Sequence, residues 1–417
     1  MSVANLVPRK IQPLVERCAQ GFPAVAIVGP RQSGKSSLAR MVFPDHRLVV
    51  LESPDVADSA RRDPRGFLGS LSMARGVILD EVQRVPELLS YLLELIDQDP
   101  VPGRWVLTGS ESLALSQRLS QSLAGRVAML ELLPLMHDEV MGFPPEQRSA
   151  SATLADAVRT GGYPAIYARA VEPYTWLGSY VSTYVERDVR QVIGVGDLSA
   201  FQRFLSLCAG RTGQLLNLLS VASDAGISQP TARSWISVLE ATYIVKLIPA
   251  WHGNVRKRLV KSPRLHFVDT GLACYLLGIR SAEQYESHPL RGPLFESWVV
   301  GEAMKAQAAC GERGRLFHWR DQHGVEADLV IDVGGHVTVL ELKSGRTFQP
   351  EWLRGVRTVM GSLPDAAHAT GRVIYGGDPG DAGAGAGRTP GTTERRHDVD
   401  RLGVGMHERS PPPLRRP

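Results

Sequence analysis

The chain has 417 residues, 43% hydrophobic and 22% charged, an ordinary soluble-globular composition that suits two or three folding units and excludes wholesale disorder. No run of about 18 apolar residues occurs, Met1 to Lys10 carries no signal-like apolar core, and Cys18, Cys208, Cys274 and Cys310 stand far apart; this argues against a membrane span, a secretory signal, a zinc knuckle or a disulfide framework, and for a cytoplasmic home. Lys+Arg 47 against Asp+Glu 43 leaves only +4 at a pI near 8.9, so net charge neither supports nor excludes a nucleic-acid partner.

From about residue 22 to 135, short apolar runs alternate with helical stretches. The runs are Ala24–Val28, Leu48–Leu51, Gly76–Leu79, Trp105–Leu107 and Val127–Leu132. Nearly continuous apolar strands separated by helices predict an α/β unit with a parallel sheet covered on both faces. Pro134 and Gly142-Phe143-Pro144-Pro145 break the pattern, placing the end of this unit at residue 145. Residues 146–212 read as a helical lid, with Tyr180, Tyr184, Phe201 and Phe204 on apolar faces. Helices near Leu215–Ala225 and Gln229–Ala241, then a β-like pair, Tyr243–Pro249 and Arg264–Val268, predict a winged-helix module over 213–278. Gly278–Gly292 reads as a linker. A long helix, Pro293–Ala309, and strands near Leu316–Trp319, Ala327–Asp332 and Thr338–Leu342 predict a last α/β domain over 290–375. Residues 376–417 hold nine Gly and six Pro and no Phe, Trp or Tyr, too little apolar surface to offset ordering entropy; disorder is expected there.

Gly29-Pro30-Arg31-Gln32-Ser33-Gly34-Lys35-Ser36 fits G-x-x-x-x-G-K-[ST] directly after a strand and ahead of a helix that includes Ser37. The glycines let backbone N–H groups turn inward around phosphates, and the helix N-terminus adds its positive dipole end. Lys35 is expected on the β- and γ-phosphates and the Ser36 hydroxyl on Mg²⁺. Val77-Ile78-Leu79 ends in Asp80-Glu81. Asp80 is the expected metal carboxylate and Glu81 the residue that polarises the attacking water. Thr108, after the strand Trp105–Leu107, is placed to sense the γ-phosphate. No lysine is followed two places on by Asp, so the guanine-reading motif is missing and ATP is the expected nucleotide.

These segments resemble the prokaryotic AAA-superfamily ATPases that carry an uncharacterised C-terminal domain. Further segments that carry the resemblance are Leu123-Ala124-Gly125-Arg126-Val127, Gly161-Gly162-Tyr163-Pro164, Tyr184-Val185-Glu186-Arg187-Asp188, Val268-Asp269-Thr270-Gly271-Leu272, Gly292-Pro293-Leu294-Phe295-Glu296 and Glu341-Leu342-Lys343-Ser344, together with Gln83. The resemblance implies an ATPase, with Arg126 and Arg187 as candidates for a γ-phosphate-contacting arginine and a homo-oligomer as a possible assembly.

Asp328 opens one C-terminal strand, and Glu341 and Lys343 share a face of the next. If the two strands pair, Asp328 and Glu341 can hold Mg²⁺ with the Leu342 carbonyl, while Lys343 steers a water. The pattern resembles the PD-(D/E)xK nuclease core of restriction endonucleases, which implies Glu296 as an additional acid; Glu326 is a nearby alternative ligand. Double-stranded DNA is the candidate partner. Ser228-Gln229-Pro230-Thr231 caps a possible recognition helix bearing Arg233 and Trp235, and Arg256, Lys257, Arg258, Lys261 and Arg264 form a basic wing. Sequence therefore predicts a Mg²⁺-dependent, DNA-associated ATPase. The alternative is an ATP-dependent protein-interaction switch on an inactive nuclease-like scaffold; a small-molecule kinase is a weaker third reading.

Overall fold

The computed structural model describes residues 6–71, 75–110, 125–185, 197–251, 262–312, 315–320, 325–362, 369–377 and 408–409. The first unit runs α1 (Gln12–Gly21), β1 (Ala24–Val28), α2 (Lys35–Val42), β2 (Arg47–Val50), α3 (Pro54–Arg62), α4 (Pro64–Gly69), β3 (Val77–Asp80), α5 (Leu88–Gln98), β4 (Trp105–Gly109) and β5 (Val127–Glu131). Its five strands form one parallel sheet in the order β2-β3-β4-β1-β5. All of β1 is buried, as a strand with helices on both faces must be. Alternation sorts its side chains: Ala24, Ala26 and Val28 pack with Ala60, Leu68 and Leu92 on one face. Val25 and Ile27 pack with Val15 and Leu38 on the other. The pairings Ala24↔Trp105 and Val77↔Trp105 keep β1, β3 and β4 in step. Their carboxyl ends therefore open on one edge of the sheet, where open α/β sheets place ligands.

Five short helices follow: α6 (His137–Met141), α7 (Leu154–Thr160), α8 (Pro164–Ala168), α9 (Pro173–Tyr180) and α10 (Leu198–Ala209). Next come β6 (Gln214–Leu215), α11 (Leu218–Ala225), α12 (Gln229–Ala241), β7 (Val245–Ile248) and β8 (Arg264–Phe267). The three strands form an antiparallel sheet with β8 in the middle. Ser228 caps α12 as expected, accepting the Thr231 N–H at 3.2 Å. Of the two residues expected on a recognition helix, Arg233 is exposed and Trp235 is interior. It lies on the apolar stripe of α12 with Ala232, Ile236 and Leu239. Its ring meets Phe201 and Phe204 of α10 edge-on at 5.4 and 5.3 Å. The stretch read as a linker is also corrected: after α13 (Thr270–Leu276), Ser281 caps α14 (Ala282–Ser287), which buries Tyr285.

The last part runs α15 (Arg291–Cys310), β9 (Arg315–Arg320), β10 (Glu326–Val333), β11 (His336–Lys343), α16 (Leu353–Ser362), β12 (Ala369–Tyr375) and β13 (Glu408–Arg409). β9, β10 and β11 are antiparallel neighbours, and β12 returns parallel to β11. Ala327, Val330 and Val339 face Val356 and Val359 of α16. Leu329, Leu340 and Ile374 face the other way, into a core shared with Phe204, Leu239, Phe267 and Phe295. The helices of residues 137–209, the three-stranded module and the C-terminal sheet thus close on one continuous apolar core. Most of the segment expected to be disordered, 376–417, lies outside the described residues; within it Glu408 and Arg409 pair with β12, which corrects that expectation locally. No helix among the described residues is long and apolar enough to cross a membrane.

Candidate functional site

The P-loop lies between β1 and α2. Gly29, Gln32 and Gly34 adopt φ of 151°, 63° and 95°. A Cβ at Gly29 would stand 2.2 Å from the Leu132 carbonyl oxygen, so the first turn admits only glycine. Lys35 opens α2 and is 4% exposed. Its Nζ donates to the Gly29 and Pro30 carbonyls at 3.1 and 2.8 Å. Burial brings its pKa down to about 8 against the pull of Glu81 and Asp80. Ser33 is fully buried, and its hydroxyl has no hydrogen-bond partner. Arg31 and Gln32 form the outer turn, and Ser37 borders an open cavity of about 540 Å³ with Leu6, Arg40, Met41 and Phe43.

Asp80 and Glu81 meet this loop as the sequence predicts. The Ser36 and Thr108 hydroxyls both donate to Asp80 Oδ1, at 2.6 and 2.5 Å. Glu81 follows in a left-handed conformation, φ 58° and ψ 48°, uncommon for a non-glycine residue. Its N–H donates to Thr108 Oγ1 at 3.2 Å. Its carboxylate accepts from Gln83 Nε2 at 2.5 Å and from Ser110 Oγ at 3.0 Å. Gln83 and Ser110 were legible only as neighbours in a motif, not as the two donors that hold Glu81.

Arg9 is a residue the sequence reading missed. It is 8% exposed and reaches four acceptors. Nη1 donates to the Ser33 carbonyl at 2.9 Å, Nη2 to the Leu133 and Pro134 carbonyls at 2.8 and 3.3 Å, and Nε to Glu139 Oε2 at 3.0 Å. No local pattern announces it. Arg126 is placed against expectation. It precedes β5 beside Ala24, while the P-loop follows Val28, which pairs with Glu131. That separation is about 16 Å of strand at ~3.3 Å per residue, too far for the nucleotide site of its own chain. Arg126 instead pairs with Asp97 at 2.5 Å. Arg187 lies outside the described residues.

The Gly-Gly-Tyr-Pro segment joins the P-loop to β8. A Cβ at Gly34 would lie 3.8 Å from Pro164 Cγ. The Gly162 N–H donates to Asp269 Oδ2 at 2.7 Å, and a Cβ at Gly161 would stand 2.0 Å from the same carboxylate. Asp269, immediately after Val268 and β8, caps α13 with its other oxygen.

β10 and β11 pair with Leu329 opposite Leu340, which brings Asp328, Glu341 and Lys343 to one end, near Glu296 of α15. Arg264, expected in a DNA-binding wing, is in the middle of these acids and is corrected to an interior position; its side chain is 7% exposed. Nη1 donates to Asp328 Oδ1 at 3.2 Å and lies 3.8 Å from Glu296, while Nη2 pairs with Glu326. Asp328 Oδ2 accepts the Leu342 N–H at 2.9 Å, so Leu342 meets Asp328 through its amide rather than its carbonyl. Lys343 Nζ stands 3.7 Å from Asp328 Oδ2 and 2.6 Å from Glu341 Oε1. Glu341 Oε2 has no hydrogen-bond partner. Burial, reinforced by the Asp328 charge, pushes Glu296 up to about 8 and Glu341 up to about 7. Burial alone would lower Lys343, but Asp328 and Glu341 outweigh it and hold the ammonium above its ordinary value. Two cations, Arg264 and Lys343, thus stand on the acids where Mg²⁺ ligation by Asp328 and Glu341 was expected, and in this arrangement they occupy the cation's role. Among the described residues no three His, Cys, Asp or Glu side chains are grouped to hold a metal. Arg256, Lys257, Arg258 and Lys261 lie outside the described residues.

Comparison with known proteins follows the same division. Residues 21–141 match the AAA domain, and 151–283 and 291–383 match two domains of unknown function, DUF8612 and DUF4143. Uncharacterized proteins of Mycobacterium tuberculosis and Mycobacterium bovis are each 31% identical over 369 residues, 87% of this chain and 79% of theirs. Among solved structures, a Walker-type ATPase of Pyrococcus abyssi aligns at 15% identity over 64% of this chain and 95% of its own, with a TM-score of 0.41. The Thermotoga maritima RuvB Holliday junction branch migration motor aligns at 18% identity over 58% of this chain and 89% of its own, with a TM-score of 0.32. The chain therefore belongs to the family of the two mycobacterial proteins, and its residues 21–141, with the P-loop and the acidic strand end beside it, form an AAA domain.

Proposed function

We propose that the protein binds ATP with Mg²⁺ at the Gly29–Ser36 loop and hydrolyses it, using the product states to switch the arrangement of its C-terminal half. The observation that carries this is the convergence of Lys35, Ser36, Asp80, Glu81 and Thr108 on one sheet edge. The residues fit the ligand: an orphaned Ser33 hydroxyl and a glycine turn too tight for a Cβ line the loop, and the oxygen donors of Ser36 and Asp80 suit a hard cation. Mg²⁺ would supply charge neutralisation at the phosphates. Lys35 would hold the phosphates from its buried position, and Asp80 would orient Ser36. Glu81 would draw a proton from water once Gln83 and Ser110 release it; Thr108, joined to both acids, is positioned to relay the γ-phosphate's presence. The cavity beside Ser37 would take the adenosine end. Arg126, at the far edge, could serve only the site of a second copy.

The switch reading is favoured over DNA association. Trp235 and Arg264 both turn inward, leaving Gln229, Pro230, Arg233, Ser234 and Ser237 as the exposed residues of α12, with a single cationic side chain among them. A second reading rests on the C-terminal order helix, three antiparallel strands, helix, parallel strand, with Asp328, Glu341 and Lys343 at one end. That placement supports a nuclease-type site in which the acids are latent. Release of phosphate from ATP by purified protein, measured with Lys35→Ala as its control, tests the main proposal. Mg²⁺-dependent release by the wild type and none by the variant is expected; equal release by both would overturn it.

A further inference from the structure

The acidic pocket contains a cation of its own. Arg264 comes not from the C-terminal sheet but from β8, and its two terminal nitrogens bridge Asp328, Glu326 and Glu296. Its guanidinium holds Asp328 Oδ1 and places a positive charge among the acids that a divalent ion between Asp328 and Glu341 would need. Glu341 Oε2, buried and unbonded, is the oxygen such an ion would gain. Guanidinium and metal therefore compete for the same negative charge.

The far end of the same strand is tied to the nucleotide site. Five residues after Arg264, Asp269 receives the Gly162 N–H. Thr270 Oγ1 donates to the Val158 carbonyl, and a Cβ at Gly271 would stand 2.3 Å from the Thr160 carbonyl oxygen. The segment from Val158 to Pro164 is thus clamped to the end of β8, and its Pro164 ring stands near enough to the P-loop that a Cβ at Gly34 would lie 3.8 Å from Pro164 Cγ. A strand joined rigidly to one segment transmits displacement along its axis, because its buried neighbours allow few intermediate arrangements.

We propose that Arg264 is a latch that shuts the acidic pocket to divalent cations, and that nucleotide at the P-loop withdraws it through Pro164, Gly162, Asp269 and β8. This rests on reading Asp328 and Glu341 as a latent metal pair, and the experiment separates the two ideas. The latch explains why a nuclease-like set of side chains is present in an arrangement that does not accept a metal. It also gives the segments around Gly161 and Asp269, which the ATPase chemistry does not use, a task.

The test is iron-directed backbone cleavage of the full chain. Fe²⁺ replaces the divalent ion, ascorbate and peroxide generate the cutting radical, and mass spectrometry maps the cuts. Cuts beside Asp80 report iron at the P-loop and serve as an internal control. Wild type without nucleotide should show no cuts between residues 326 and 343. Arg264→Gln should show them, at least tenfold above wild type, and adding Asp328→Ala should abolish them. Wild type loaded with a non-hydrolysable ATP analogue should gain the same cuts, an arm that needs no variant to fold. Equal cutting in wild type and Arg264→Gln without nucleotide would overturn the latch while leaving the metal pair standing. No cutting in a natively melting Arg264→Gln protein would remove the metal pair and the latch with it. Cutting in Arg264→Gln but not in nucleotide-loaded wild type would overturn the coupling through β8.

Discussion

Two pairs of acids sit at strand ends in this chain, and they are held in opposite ways. Asp80 and Glu81 are bonded by neutral groups: the hydroxyls of Ser36, Thr108 and Ser110 and the amide of Gln83. Asp328 and Glu341 are bonded by cations, Arg264 and Lys343. Neutral donors orient a carboxylate without cancelling its charge, so the first pair keeps the charge that the proposed Mg²⁺ would need. A guanidinium cancels the charge and fills the space, so the second pair does not. Both pairs are an Asp and a Glu, the first consecutive at the end of β3 and the second drawn from the neighbouring strands β10 and β11; the difference in charge is set by who donates.

The supports behind the two sites differ as well, and the largest effect should appear there. Arg9 and Glu139 form a buried pair behind the P-loop, with side chains 8% and 3% exposed. Arg9→Ala leaves Glu139 as an uncompensated buried charge and frees the Ser33 carbonyl. A loss of about 3–5 kcal/mol is expected in denaturant unfolding. A loss below about 1 kcal/mol would show that the loop needs no such brace.

Lys35→Ala should weaken ATP binding about 100-fold, read by calorimetry, because a charge-assisted contact worth several kcal/mol is removed. Asp328→Ala should not weaken it, since it removes only a contact that nucleotide is proposed to loosen. If the two variants weakened binding alike, the sites would not be chemically separate.

A smaller effect distinguishes the charge at the P-loop by pH. Free Lys35 titrates near 8, below the ordinary lysine value of about 10.4. Between those values the unfolded chain binds more protons than the folded one, so the ligand-free fold gains stability as pH rises from about 8 to 10.4. ATP affinity moves oppositely: above pH 8 the ammonium must be restored by proton uptake, and affinity should fall by up to about tenfold per pH unit. Calorimetry in buffers of different ionisation enthalpy measures that uptake. Lys35→Arg should abolish it; persistence in this variant would assign the proton elsewhere.

The least effect is expected at Arg126, at the wrong edge of the sheet for the nucleotide of its own chain. Arg126→Ala should leave turnover of dilute protein unchanged in a steady-state assay. A large fall in turnover that grows with protein concentration would instead place it in a neighbour's site.

How much was legible in the sequence follows from how local each signal is. The strands β1 to β5 are apolar runs bounded by Gly, Pro or charged residues, and the P-loop is a contiguous motif; all were readable within a residue or two. The pairing of β10 and β11 stood only as a condition in the sequence, and the structure supplies it. By contrast α16, LRGVRTVMGS, has two glycines, and β12, ATGRVIY, carries Gly371 and Arg372. Their apolar residues show only when packed against β10 and β11. Arg264 meets Asp328 across 64 positions and Arg9 meets Glu139 across 130. No window of sequence contains both partners, so Arg264 read as a surface base and Arg9 was not read at all.

The central claim is that Glu81 activates water at a site where Lys35 and Asp80 hold the nucleotide. Single-turnover hydrolysis and equilibrium binding of ATP, measured together on wild type and Glu81→Gln, test it most directly. The account predicts equal affinity and a rate reduced about 10²–10⁴-fold, the range for loss of a general base. A Glu81→Gln protein that hydrolyses ATP at the wild-type rate would contradict it.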